Sequence, residues 1–185
     1  MSVSELSTST QNYLKAIWGL KEWSSEPVTA TLIAKQLGLK LSSVSDAVRK
    51  MAKQGLVSHT PYGSVELTEL GRQYALVMVR RHRLLESFLV QALGYTWDEV
   101  HNEAENLEHA VSDMLIERVD KFLDYPTRDP HGDPIPTVDG QITIPSAHRL
   151  TDSGAQSQVT VERISDSDPQ LLKFLEERGI VTGAV

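Results

Sequence analysis

Six side chains with nitrogen or oxygen donors fall into two short runs: His82 with Glu86, then His101, Glu105, Glu108 and His109. In a helix, positions three or four apart share a face, so each run gathers imidazoles and carboxylates along one stripe. Three carboxylates brought that close repel one another unless a cation or an arginine lies among them. Imidazole and carboxylate donors without sulfur suit a divalent cation such as Mn2+ or Fe2+. Two plainer explanations compete with a metal. A His–Glu pair at i, i+4 is ordinarily a solvated pair worth only a few tenths of a kcal/mol. Arg80, Arg81 and Arg83 also lie close enough to His82 in sequence to neutralise the carboxylates.

The elements that must position these donors are helical. Thr68 opens a long helix with Leu76, Val79, Leu84, Phe88 and Leu89 among its apolar positions, ending near Gly94. Thr96 with Glu99 forms a capping box for the next helix. Its core stripe is Trp97, Val100, Ala104, Leu107 and Val111. The four donors of the second run fall on a stripe rotated from that one by roughly 100°.

Upstream, a helix capped by Ser7 or Thr8 is expected to run to about Trp23, with Tyr13, Leu14, Ile17 and Leu20 repeating at helical spacing. Thr29 caps a short helix with Leu32, Ile33 and Leu37 that ends in a turn at Gly38, and Ser42 caps the next. Ala34, Gly38 and Val44 supply the small residue, turn glycine and buried branched residue of a helix-turn-helix. A hairpin then follows: Leu56–His59, a Pro61-Tyr62-Gly63 turn, and Val65–Leu67, which is the winged variant. Small hydroxyls early in a recognition helix fit a major groove, and the cations behind them attract phosphates. The candidate DNA-contacting residues are Ser42, Ser43, Ser45, Arg49, Lys50, Lys53 and, at the wing tip, Tyr62. An ordinary solvated helix face is the alternative, and the wing argues against it.

Composition bounds the function. Residues 1–95 hold 11 Lys and Arg against 7 Asp and Glu, while residues 96–185 hold 7 against 18, so balances of +4 and −11 underlie the net −7. A basic first half joined to an acidic second half fits a DNA-contacting domain followed by a cation-collecting one. With no cysteine among 185 residues, disulfides, thiolate metal sites and iron–sulfur clusters are excluded. MSVSELSTST has neither a basic flank nor an apolar run, and no stretch reads as a membrane span. A cytoplasmic protein with no membrane partner is expected.

The chain resembles the diphtheria-toxin-repressor family of metal-dependent regulators, in its manganese-sensing branch. The resemblance covers roughly residues 8–137 and is carried by QNYLKAIW, IAKQLGLKLSSVSDAVRKMAKQGLV, VRRHRLLESFL, WDEVHNEAENLEHAVSD and DPHGDPIP. It implies a mainly α fold: an N-terminal winged helix-turn-helix, an all-helical dimerisation and metal-binding domain, and an SH3-like C-terminal segment. It also implies metal-bound homodimers that bind double-stranded operator DNA and repress metal-uptake genes. Carried over by motif, His82, Glu86 and His101 form one cation site, and Glu105, Glu108 and His109 most of a second, which Asn12 completes. Manganese sensors of the family have an aspartate at the position of Asn12 and iron sensors a methionine. Lys15 stands where some manganese sensors place a glutamate. The iron-sensing branch has a cysteine at the position of Glu105, and a carboxylate there favours the harder Mn2+, with Fe2+ the next choice. By this reading a cation fixes the spacing of two recognition helices and so favours the DNA-competent dimer.

Residues 1–72 are thus expected to bind DNA, 73–125 to dimerise and hold metal, 126–150 to form a Pro-rich linker, and 151–185 to form a truncated SH3-like segment. That segment should contain a strand at Thr160–Arg163 and a helix from Asp168–Pro169 to about Arg178, closed by Gly179. Asp168 is the nearest candidate for an extra metal ligand from this region, but helix capping explains it more simply. No small organic substrate is expected. An enzyme with a two-metal hydrolase site is one alternative, although no H-E-x-x-H and no nucleophile arrangement accompany the donors. A winged-helix regulator answering to an organic ligand and a metal buffer without a DNA role are the others.

Overall fold

A computed structural model describes residues 3–60 and 63–185. The chain divides into two compact units, Met1–Val79 and Arg80–Val185. In order, its longer elements are α1 (Thr8–Glu22), α2 (Ala30–Leu37), α3 (Leu41–Lys53), β1 (Val57–His59), β2 (Val65–Leu67), α4 (Glu69–Leu93), α5 (Trp97–Leu107), α6 (Asp113–Phe122) and α7 (Pro169–Glu176). The architecture is mainly helical with one two-stranded sheet.

In the first unit, Ser7 caps α1 by accepting from the Thr10 N–H, and Thr29 caps α2 by accepting from Leu32. Gly38 ends α2 at φ 64°, the left-handed region that other residues occupy only with strain. The turn places α3 earlier than expected. Lys40 is its N-cap and Ser42 lies inside the first turn, because the Val44 N–H already bonds back to the Lys40 carbonyl. Val44, Val48 and Met51, at i, i+4 and i+7, face a core shared with Leu14, Ile17, Ile33, Leu56, Val57 and Val65. β1 and β2 pair antiparallel with Val57 opposite Leu67 and His59 opposite Val65. Tyr62, expected from the sequence to contact DNA, lies outside the described residues.

The second unit is built on the C-terminal part of α4. Its core is Leu84, Leu85, Leu89, Val100, Ala104, Ile116, Val119 and Ile135. Thr96 and Glu99 form the expected capping box, the Thr96 N–H donating to Glu99 Oε2 at 3.3 Å. Ser112 caps α6, accepting from the Leu115 N–H. α5 ends at Leu107, so Glu108 and His109 sit in the turn beyond it rather than on a continuous stripe.

The proline-rich stretch is not a solvated tether throughout. Residues 131–136 are all buried. Asp129 Oδ1 accepts from the backbone N–H of both His131 and Asp133, and Arg83 donates to the Pro134 carbonyl (2.6 Å) and to Asp133 (3.2 Å). Arg163 donates to the other oxygen of Asp133 at 2.5 Å. Gly132 stands at φ 88°, and a Cβ there would lie 2.1 Å from the Glu162 carbonyl, so the loop and the C-terminal segment meet only through glycine. Composition suggested a linker because it counts prolines without their partners; two arginines turn these aspartates inward.

Thr160–Arg163, expected as a strand, is extended. Val161 exchanges backbone hydrogen bonds with Ala184 and Gly183 without forming a sheet. α7 begins as expected, with Asp168 accepting from Gln170 and Leu171, and it packs on α5 with Leu172 buried.

Candidate metal centre

α4 places His82 and Glu86 one turn apart, and α5 lays His101 and Glu105 against them. His82, Glu86 and Glu108 are buried; His101, Glu105 and Asp166 are half-buried. The donor atoms converge. Glu86 Oε1 lies 2.9 Å from His82 Nε2 and 3.3 Å from His101 Nδ1, and the two ring nitrogens are 3.2 Å apart. A cation about 2.1 Å from each ligand of an octahedron separates neighbouring donors by roughly 3.0 Å. The triangle therefore matches one octahedral face. Asp166 Oδ2 joins it, 3.0 Å from His101 Nδ1. Glu86 Oε1 is enclosed and has no aligned hydrogen-bond donor. These residues fit a divalent cation.

A second group shares His82. Its Nδ1 lies 2.6 Å from Glu108 Oε2, and one ligand atom from each of His82, Glu105 and Glu108 falls within 4.8 Å of the others. His109 Nε2 approaches Glu108 Oε1 at 3.4 Å. Asn12 lies on α1 of the other unit, and its side-chain oxygen is enclosed with no hydrogen-bond partner among the described residues.

The arginines that lie beside His82 in sequence pair with carboxylates elsewhere. Arg80 bonds Asp120 (2.6 Å) and the Pro136 carbonyl. Arg81 pairs with Asp113 and donates to the Glu108 carbonyl, and Arg83 serves Asp133 and Asp129. Burial alone would raise the Glu86 pKa, but His82, His101 and His131 outweigh it and hold the carboxyl well below its usual range. Burial likewise works against a charged His101, yet Asp166 and Glu86 push it up to about 10. Asp166 is lowered, its burial overcome by His101. Asp129 goes the other way, raised by burial and by the nearby charges of Glu86 and Asp133.

Asp166 escaped the sequence reading, which weighed only Asp168 from that region. No periodicity relates a loop carboxylate to a helix so far upstream. The only local signal was a second aspartate two residues before the cap.

On α3 the expected DNA-contacting side chains Ser42, Ser43, Arg49, Lys50 and Lys53 are exposed and Ser45 is half-buried. They lie on the outer surface, away from Val44, Val48 and Met51.

Comparison with known proteins places these features. Residues 5–65 match the family described as iron dependent repressor, N-terminal DNA binding domain, and residues 68–137 match iron dependent repressor, metal binding and dimerisation domain. The iron-dependent repressor IdeR of Mycobacterium tuberculosis is 35% identical over 194 residues, spanning 98% of this chain and 84% of that one. The diphtheria toxin repressor of Corynebacterium diphtheriae is 36% identical over 137 residues, 74% of this chain and 60% of that one. A solved structure described as a manganese-dependent transcriptional repressor in complex with manganese superimposes with a TM-score of 0.90 at 53% identity, covering 94% of this chain and 80% of the other. The matched domains and the overall fold are those of a metal-dependent transcriptional repressor. The chain belongs to the iron-dependent repressor family, that of the diphtheria toxin repressor. No helix among the described residues is long and apolar enough to cross a membrane.

Proposed function

We propose that this protein is an Mn2+-activated repressor that binds operator DNA as a homodimer, in the cytoplasm, and controls metal-uptake genes. The observation that carries the proposal is the His82–Glu86–His101 triangle, whose sides of 2.9 to 3.3 Å suit a six-coordinate cation. His82, Glu86 and His101, with Asp166, form the first donor set. Glu105, Glu108 and His109 form the second, to which the family resemblance adds Asn12. The absence of sulfur among these donors and the carboxylate at Glu105 favour Mn2+, as does the similarity to a repressor solved with manganese. When bound, a divalent cation supplies the positive charge that the clustered carboxylates otherwise draw from His82 and His101. His82 faces Glu108 with one nitrogen and Glu86 with the other, so its ring orientation couples the two sets.

Ser42, Ser43 and Ser45 meet the major groove and Arg49, Lys50 and Lys53 the phosphates, with Tyr62 assigned to the wing contact. Met114, Leu115 and Phe122 on α6 are exposed, at 68%, 46% and 67%, opposite the inward Ile116 and Val119. An apolar face of this kind on a small domain suits a second copy of the chain. Residues 1–72 and 73–125 are assigned to these two tasks. Fe2+ is the second reading, favoured by the similarity to the iron-dependent repressor of Mycobacterium tuberculosis.

Chelated protein titrated with Mn2+, Fe2+ or Zn2+ against genomic DNA fragments tests the assignment. Mn2+ is expected to tighten binding to a small set of promoters at least tenfold. Equal binding after exhaustive chelation would remove the switch, and activation by Fe2+ alone would reassign the metal.

A further inference from the structure

The serines early in α3 are short, and Ser45 already donates its hydroxyl to the Leu41 carbonyl at 2.9 Å. The one charged side chain in the N-terminal half of this helix is Asp46. It stands on the stripe Ser42, Asp46, Arg49, Lys50 and Lys53, at i, i+4, i+7, i+8 and i+11, with its side chain 71% exposed. Arg49 folds back over the preceding turn, donating one guanidinium nitrogen to Asp46 and Nε to the Ser45 carbonyl at 3.3 Å.

An acid in this place is repelled by every phosphate it approaches. It gains only where a base edge offers it a hydrogen. In the major groove, guanine shows two acceptors and thymine an acceptor and a methyl. Adenine pairs its amino group with the acceptor N7, which repels a carboxylate, whereas cytosine shows the N4 amino donor alone. Resting on the DNA-binding reading above, we propose that Asp46 reads the N4 amino group of a cytosine in each operator half-site. Arg49 is its positioning residue: it holds the carboxylate toward the groove, and the charge it shares with Asp46 weakens its pull on the phosphates it meets. Asp46 therefore raises specificity by two routes, rewarding one base and restraining non-specific binding.

The experiment uses full-length protein with Mn2+. Duplexes are selected from a random pool by wild type, and binding to every single-base variant of the selected half-site is then measured for wild type, Asp46→Ala and Asp46→Asn. Wild type is expected to lose about tenfold at one position when cytosine is replaced by thymine. Asp46→Ala is expected to be indifferent there and to bind unrelated DNA more tightly, with a steeper salt dependence as Arg49 is released. Asp46→Asn is expected to shift the preference at that position to adenine, whose N6 and N7 match an amide. Identical base preferences in wild type and Asp46→Ala would overturn the proposal while leaving the repressor reading intact. Failure of wild type to select any sequence with Mn2+ present would bring down both. Circular dichroism of the variants checks that a lost preference is not a lost fold, and Asp46 is exposed.

Discussion

At the level of single residues, the proposed metal centre is a set of charges that satisfy one another imperfectly. His101 lies between Glu86 and Asp166 and keeps its proton to a pH of about 10. A cation must displace that proton, so Mn2+ affinity should rise as pH rises, by about tenfold per unit for one proton released. Calorimetry in buffers of differing ionisation enthalpy should count that proton. A pH-independent affinity would show that His101 is not a ligand. Without metal, the raised His101 pKa contributes stability that is complete below its ordinary pKa and lost as pH rises toward 10. The lowered Glu86 and Asp166 contribute stability that is present above the ordinary carboxylate range and lost on acidification. Replacing Asp166 by alanine should weaken the first set for Mn2+ by about tenfold or more, since it removes a carboxylate from the proposed donor set and the partner of His101.

At the level of elements, α7 holds Asp166 in reach of His101. Asp168 caps the helix and Leu172 anchors it in the second unit at 1% exposure. Leu172→Ala should cost about 2–5 kcal/mol of local stability. Amide exchange should quicken in residues 160–185, and Mn2+ affinity should fall much as in Asp166→Ala. The melting of the first unit, followed by exchange of the α3 amides, should stay unchanged. Unaltered Mn2+ affinity in a variant with an unprotected C-terminal segment would separate that segment from the site. Most elements were legible from local signals: the Ser7 and Thr29 caps, the Gly38 turn, the hairpin strands and the Thr96–Glu99 box each depend on near neighbours in sequence. The start of α3 and the end of α5 were misplaced by a few residues, since helix ends are settled by backbone bonds that a periodic pattern does not encode.

At the level of the whole molecule, the opposed charge balances of the two halves suit a protein that meets a polyanion with one part and cations with the other. The exposed α6 residues give the dimer a test. Phe122→Glu should place a charge in the apolar face and yield a monomer by sedimentation, with operator affinity reduced at least tenfold while the Mn2+ content per chain holds. A variant that remains dimeric would move the interface elsewhere.

The sequence by itself determined the class of the site and the kind of fold around it. Imidazoles and carboxylates at helical spacing, without a cysteine, specify hard-donor cation chemistry, and the Ala34, Gly38 and Val44 pattern specifies the helix-turn-helix. Tertiary structure alone decided which donors meet. His82 bridges Glu86 and Glu108, Asp166 arrives from a distant loop, and the DPHGDPIP stretch turns into the core on Arg83 and Arg163. The reason is physical: helix periodicity fixes neighbours within a few residues, whereas a ligand shell closes through contacts between segments whose sequence separation carries no period.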